Sequence, residues 1–162
     1  MKLAVLSDSH DAWGNLEWAV QQAKENNCEV ILFAGDLNAP PGCSILAKFE
    51  KEVNMIFGNN EGEKMGMTKL VNKLKINHHD WWFEGELGGK QIIMHHWPRP
   101  IEIAAQSQMF DLAICGHTHE WRLEKIGKTV LLNPGALIGY KEPASMAIVD
   151  LETMEVNRLL KN

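Results

Sequence analysis

Residues 111–119 read Asp-Leu-Ala-Ile-Cys-Gly-His-Thr-His, an apolar run that stops at Gly116 and is followed by His117 and His119. Side chains two apart on extended backbone point to one side, so these two imidazoles can share a metal ion. The arrangement recurs at four earlier places. Apolar runs over 3–6, 30–34, 53–57 and 92–94 end at Asp8-Ser9-His10, Gly35-Asp36, Gly58-Asn59 and His95. Each run reads as a buried strand, and open sheets of alternating strands and helices bind ligands outside the carboxyl ends of their strands. The candidate metal ligands are therefore Asp8, His10, Asp36, Asn59, His95, His117 and His119. Seven donors exceed the roughly four to six that one ion takes, whereas two ions sharing a carboxylate accommodate them. Imidazole and oxygen donors without thiolate select Mn, Fe, Zn, Ni or Co over calcium or a structural zinc.

Positioning these groups falls to elements that the pattern also predicts. In the first half, strands alternate with helices expected over residues 15–27, 44–51 and 63–75, with a Pro/Gly loop at Ala39-Pro40-Pro41-Gly42 between the first two. Leu16, Ala19, Val20 and Ala23 share one face of the first helix, with Asn15 as its N-cap, and Met67, Leu70, Val71 and Leu74 share one face of the third. Strands separated by helices imply right-handed crossovers and a largely parallel sheet. The second half changes character. Runs at 81–87 and 90–94 flank Gly88-Gly89, a two-residue hairpin turn, and after a helix over 101–108 four more strands follow at 121–126, 129–132, 145–151 and 155–160. That half predicts antiparallel pairing. Gly127-Lys128-Thr129 matches the end of a phosphate-binding P-loop, but Arg122 stands where the first glycine is needed, so it reads as a turn.

With 162 residues, 45% hydrophobic and 23% charged, the chain fits one domain spanning 1–162. A net charge of −5 disfavours nucleic acid and anionic membranes as partners. Cys28, Cys43 and Cys115 are an odd number without metal-site spacing, which suggests a reducing cytoplasm, and no apolar stretch is long enough for a signal core or a membrane span. Most of the six tryptophans are expected in the core, with Trp97 lining the site or a subunit contact in a homo-oligomer; His78 and His79 are expected at the surface.

Asp8-Ser9-His10, Gly35-Asp36, Gly58-Asn59-Asn60-Glu61, His95 and Gly116-His117-Thr118-His119, in that order, resemble the signature of the calcineurin-like metallophosphoesterases, in particular the small, cap-less YfcE-type branch. Asn133-Pro134-Gly135 resembles that branch's loop after a late strand. The resemblance implies an α/β (α+β mixed) fold, a four-layer β-sandwich of two mixed sheets flanked by helices. It also implies that Asp8, His10 and His119 hold one metal, that Asn59, His95 and His117 hold the other, and that Asp36 bridges them. Two positions depart from the pattern. Asn60 stands where the protein-phosphatase branch has a histidine proposed to protonate the leaving group, a task an amide cannot perform near neutral pH. His95 is followed by His96, where the family commonly has glycine. Strand spacing favours His95 as the ligand, with His96 as its substitute, as a substrate contact or as an acid.

The expected cofactors are two divalent transition-metal ions, manganese favoured, and the expected reaction is phosphodiester hydrolysis by a hydroxide between them attacking phosphorus in line. Asp36, Asn59 and His96 form the expected catalytic set. Arginine is confined to Arg99, Arg122 and Arg158, so a small diester with one charge suits the chain better than a dianionic monoester. The rival from another class is a protein-interaction scaffold of the same fold, as in the retromer subunit, whose metal sites are degraded. Intact ligands favour the enzyme.

Overall fold

A computed structural model describes residues 1–161. The chain opens with β1 (Lys2–Leu6), α1 (Trp13–Glu25), β2 (Val30–Phe33), α2 (Pro40–Ala47), β3 (Glu52–Met55), α3 (Lys64–Leu74) and the two-residue β4 (Asn77–His78). It continues through β5 (Trp82–Leu87), β6 (Lys90–His95), α4 (Pro98–Ser107), β7 (Leu112–Ile114), β8 (Trp121–Ile126), β9 (Thr129–Pro134), β10 (Ser145–Asp150) and β11 (Glu155–Leu160). Two mixed sheets result, ordered β11-β10-β1-β2-β3-β4 and β5-β6-β7-β9-β8. β1 to β4 pair in parallel, as do β6, β7 and β9, while β10, β11, β5 and β8 add antiparallel strands outside them.

The apolar runs lack a polar alternation because both faces of their strands are covered. In β1, Ala4 and Leu6 join the core beneath α1, α2 and α3, whereas Leu3 and Val5 join the core between the sheets. In β7, Leu112 and Ile114 face that same central core, and Ala113 faces α4 with Ile101, Ala105 and Leu131. Three stacked cores thus separate four layers, helices, sheet, sheet, helix, as expected. A one-residue slip of β1 would exchange the contents of two cores and misplace side chains worth about 1.5–3 kcal/mol each when buried.

Some local expectations are corrected. Pro40-Pro41-Gly42 is the first turn of α2, not a loop before it, because proline at the start of a helix gives up an amide that would have had no partner. Asn15 is not an N-cap. α1 starts at Trp13 behind Ala12, and Asn15 Nδ2 donates to Leu137 O at 2.7 Å. His78 lies in β4 with its ring 4.1 Å from that of Phe57, and His79 Nε2 is 2.8 Å from Asn54 Oδ1, so neither is a free surface residue. None of the six tryptophans is fully buried. Trp13, Trp18 and Trp121 pack at core margins, while Trp81, Trp82 and Trp97 are exposed.

Candidate metal centre

The loops that leave β1, β2, β3, β6 and β7 meet at one end of the sandwich. There the backbone adopts left-handed conformations that suit glycine better than the residues present: Asp8 (φ 53°), His10 (41°), Asp11 (61°), Asp36 (60°), His117 (70°) and His119 (63°). Each costs about 1 kcal/mol or more, and persists because its surroundings over-determine it. Asp8 N donates to Gly35 O (3.0 Å), His10 N to Asp36 O (3.1 Å), Gly116 N to His96 O (3.0 Å), and His117 N to Asp8 Oδ2 (3.1 Å). Two glycines permit this closeness. A Cβ on Gly58 would overlap the Asp36 carboxylate, and one on Gly116 would overlap Ser7 Oγ. From the late strand, Asn133 Nδ2 donates to Gly116 O at 2.8 Å, and Leu137 N and Ile138 N donate to Ser7 O and Asp8 O.

Six of the candidate donors converge there: Asp8, His10, Asp36, Asn59, His117 and His119. His10 Nε2 and His119 Nε2 lie 3.1 Å apart. Asp8 Oδ1 sits 3.3 Å from His119 Nε2, 3.7 Å from His10 Nε2 and 3.9 Å from His96 Nε2, buried and without a hydrogen-bond partner. Asp36 Oδ2 is 3.4 Å from His10 Nε2 and 3.4 Å from His96 Nε2. Asn59 Oδ1 lies 3.0 Å from His96 Nε2 and 2.8 Å from His117 Nδ1. Asp8, His10 and His119 form one group able to hold a cation, and Asp8, Asp36 and His96 another. A buried carboxylate oxygen with no donor, facing imidazole nitrogens at cation-sharing distances, fits divalent ions held at about 2.0–2.2 Å from each ligand.

The electrostatics agree. Burial pushes the Asp36 carboxyl up, but His96 and Asn60 outweigh it and hold the group well below the usual carboxylate range. Asp8 is likewise held low against burial by His10 and His119. His10 is raised by Asp8, and His96, though depressed by burial, is raised on balance by Asp36 and Asp8. Protons on these imidazoles occupy the places where cations would sit, so metal binding must release them.

His95 and His96 take different places. The His95 ring stands edge-on to Trp82 at 5.5 Å, its Nδ1 accepts the Trp97 amide at 3.1 Å, and it joins neither donor group. His96 takes the inner place. It is buried, and its Nδ1 donates to Ala34 O at 2.7 Å. That bond leaves Nε2, beside the acceptors Asp36 and Asn59, as the nitrogen that a cation can take once its proton is released. At 1% exposure His96 lies beneath the surface of the centre, a place that suits a ligand. The reason is strand parity: Ile92 and Met94 face the opposite sheet, so His96 follows them inward and His95 turns away.

Two further residues shape the centre. Asn60 N donates to Asp36 Oδ1 and Asn60 Nδ2 to Asp36 Oδ2, both at 2.8 Å. Glu61, 7% exposed, accepts Leu37 N on one oxygen (3.1 Å) and Gly58 N on the other (2.9 Å), tying the loop of Asp36 to the loop of Asn59. Burial raises the Glu61 pKa despite those bonds. A lone acid within a Gly-Asn-Asn turn was the available signal.

The sequence matches the model of the calcineurin-like phosphoesterase superfamily domain over residues 1–154. A phosphodiesterase of Methanocaldococcus jannaschii is 29% identical over 99% of both chains. Among solved structures, an archaeal phosphodiesterase superposes with a TM-score of 0.93 at 24% identity, covering 99% of this chain and 100% of its own. YfcE, a phosphoesterase from E. coli, superposes at 0.74 with 18% identity, and zinc-complexed Vps29 of Entamoeba histolytica at 0.69 with 15%, each over 100% of both chains. The structural likenesses establish the fold.

Proposed function

Because the chain belongs to the calcineurin-like phosphoesterase superfamily, we propose that it hydrolyses small phosphodiesters with the help of two divalent cations. Asp8, His10 and His119 would hold one, Asn59, His96 and His117 the other, with Asp36 placed to serve both. The observation that carries this reading is the position of Asp36 Oδ2, equidistant at 3.4 Å from His10 Nε2 and His96 Nε2. When bound, the cations acidify the water between them enough to supply a nucleophile at neutral pH and draw charge from the phosphoryl oxygens.

The chain's own groups do the rest. Asp8 and Asp36, held ionised, supply the negative charge that two cations require. Asn60 orients Asp36 through two bonds and has no proton to give near neutral pH, so leaving groups of high pKa depart slowly. The arginines are engaged elsewhere: Arg122 pairs with Glu102 (2.6 Å) and Glu124 (2.7 Å), Arg158 with Glu142 (2.6 Å), and Arg99 with Glu102 (3.7 Å). With no guanidinium at the centre among the described residues, a monoanionic diester suits it better than a dianion. The phosphodiesterase relative supports the same choice.

Mn is the favoured ion, with Ni, Zn, Fe and Co also suited to these donors. The free, buried Cys28, Cys43 and Cys115 suit a reducing cytoplasm, and no helix among the described residues is long and apolar enough to cross a membrane. The test is hydrolysis of bis-p-nitrophenyl phosphate and p-nitrophenyl phosphate with added Mn or Ni, for the wild type and for Asp36→Asn. The diester should be cleaved faster by the wild type, and Asp36→Asn should stay folded while losing activity by on the order of 10³-fold. Equal, negligible turnover of both esters by a wild type that retains no metal would favour the scaffold reading.

A further inference from the structure

Beside the centre, an aromatic series runs outward from the candidate ligand His117. The Trp97 ring packs on that of His117, centroids 3.9 Å apart and tilted by 39°. Trp97 N donates to His95 Nδ1 at 3.1 Å, and His95 in turn stands edge-on to Trp82 at 5.5 Å. Trp97 is nevertheless 43% exposed, and Trp82 42%. Leaving large indole surfaces in water forgoes burial energy, which is unusual unless something covers them. Nor is Trp97 loosely held. It forms the N-cap of α4 in an extended conformation (φ −78°, ψ 136°), the one to which the following Pro98 restricts it. Its amide is fixed by His95, so ordering the ring against a ligand costs little further entropy.

We propose that Trp97, braced by His95 and Trp82, is a substrate subsite that stacks a planar aromatic arm of the phosphodiester, of which a nucleobase is the natural chemical form. This rests on the phosphodiesterase reading and extends it to the substrate's organic part. The place is suited to that task because the ring that would carry the arm already touches His117, so an arm on Trp97 leaves its phosphorus within reach of the metal donors. Stacking tolerates many planar groups because each has a π face, and it requires no basic surface, in keeping with a chain of net charge −5. It also gives His95, which holds no place among the donors, a positioning role: its imidazole fixes the backbone of the stacking residue.

The experiment uses phenyl(methyl)phosphinate and dimethylphosphinate, which carry the single negative charge of a diester, have no ester bond to hydrolyse and differ only in one arm. Calorimetry on manganese-loaded wild type and Trp97→Leu measures the affinity of each, and titration of the apo proteins measures manganese itself. The wild type should prefer the phenyl compound, and Trp97→Leu should lose about 5- to 100-fold of that preference while the methyl compound is affected much less. His95→Ala should lose a smaller part of the same preference. An unchanged phenyl-to-methyl ratio would overturn the proposal. So would a loss of manganese affinity in Trp97→Leu large enough to weaken both ligands alike, since the ring would then act only through His117. Failure of the phosphodiesterase reading would be visible separately, as no turnover of bis-p-nitrophenyl phosphate by the wild type, and would leave the binding ratio measurable.

Discussion

The two ends of the sandwich solve the same backbone problem with different residues. At the end away from the metal donors, the hairpins between β5 and β6 and between β8 and β9 turn at Gly88-Gly89 and Gly127, whose φ values of 56°, 74° and 58° cost glycine nothing. At the donor end, equally left-handed positions are filled by Asp8, His10, Asp36, His117 and His119. Met154 (φ 58°) and the residues that lead from helix to strand there, Asn27 (59°), Glu50 (62°), Lys75 (59°) and Gln108 (61°), are left-handed without being glycine, but each stands alone in its turn. Left-handed backbone is therefore scattered singly at the far end and concentrated at the donor end, on residues whose side chains are candidate donors. Within the donor end, Gly35 takes φ 97° directly before Asp36, while Gly58 and Gly116 stand where a neighbouring carboxylate or hydroxyl comes within touching distance.

The sharpest way to break this contrast is at the two adjacent histidines. His96→Ala should cost on the order of 10²-fold or more in activity and weaken binding of one cation, because it removes an inward nitrogen and the bond that orients it. His95→Ala should cost less than about tenfold with both cations retained. Steady-state rates and metal titration of the two variants decide this, and the reverse order would restore His95 as the ligand. The smallest expected effect lies at a left-handed position that carries no chemistry. Lys75, exposed and ending α3 at φ 59°, can become glycine. Lys75→Gly should raise stability by about 0.5 kcal/mol, or roughly 1–2 °C in Tm, with no change in activity. A loss of stability there would mean that left-handed residues are not strained in this fold.

Much of this arrangement is legible in the sequence because it rests on runs and turns. The periodicity predicts α3 over 63–75 and the helix spans Lys64–Leu74, the Gly88-Gly89 hairpin joins the strands it is predicted to join, and the four late strands match within two residues. Six candidate donors share one place because strand ends are easy to find from apolar runs. The remainder depends on information that no run carries. Which of His95 and His96 points inward is a matter of strand parity relative to the opposite sheet, and apolar residues on both faces of β6 erase that parity from the sequence. Asn60 and Glu61 act through groups of another loop, and a partner distant in sequence leaves no local trace. Trp97 is singled out by its place beside His95 and His96, but its exposure and its packing on His117 cannot be read from the chain.

The most direct measurement is X-ray diffraction at the manganese absorption edge on crystals grown with Mn, read for anomalous peaks around Asp36. Two peaks are expected, one among Asp8, His10 and His119, the other among Asn59, His96 and His117, with the Asp36 carboxylate between them. A protein that takes up no manganese there, or a single ion coordinated by His95, would contradict the dinuclear centre on which the proposed chemistry depends.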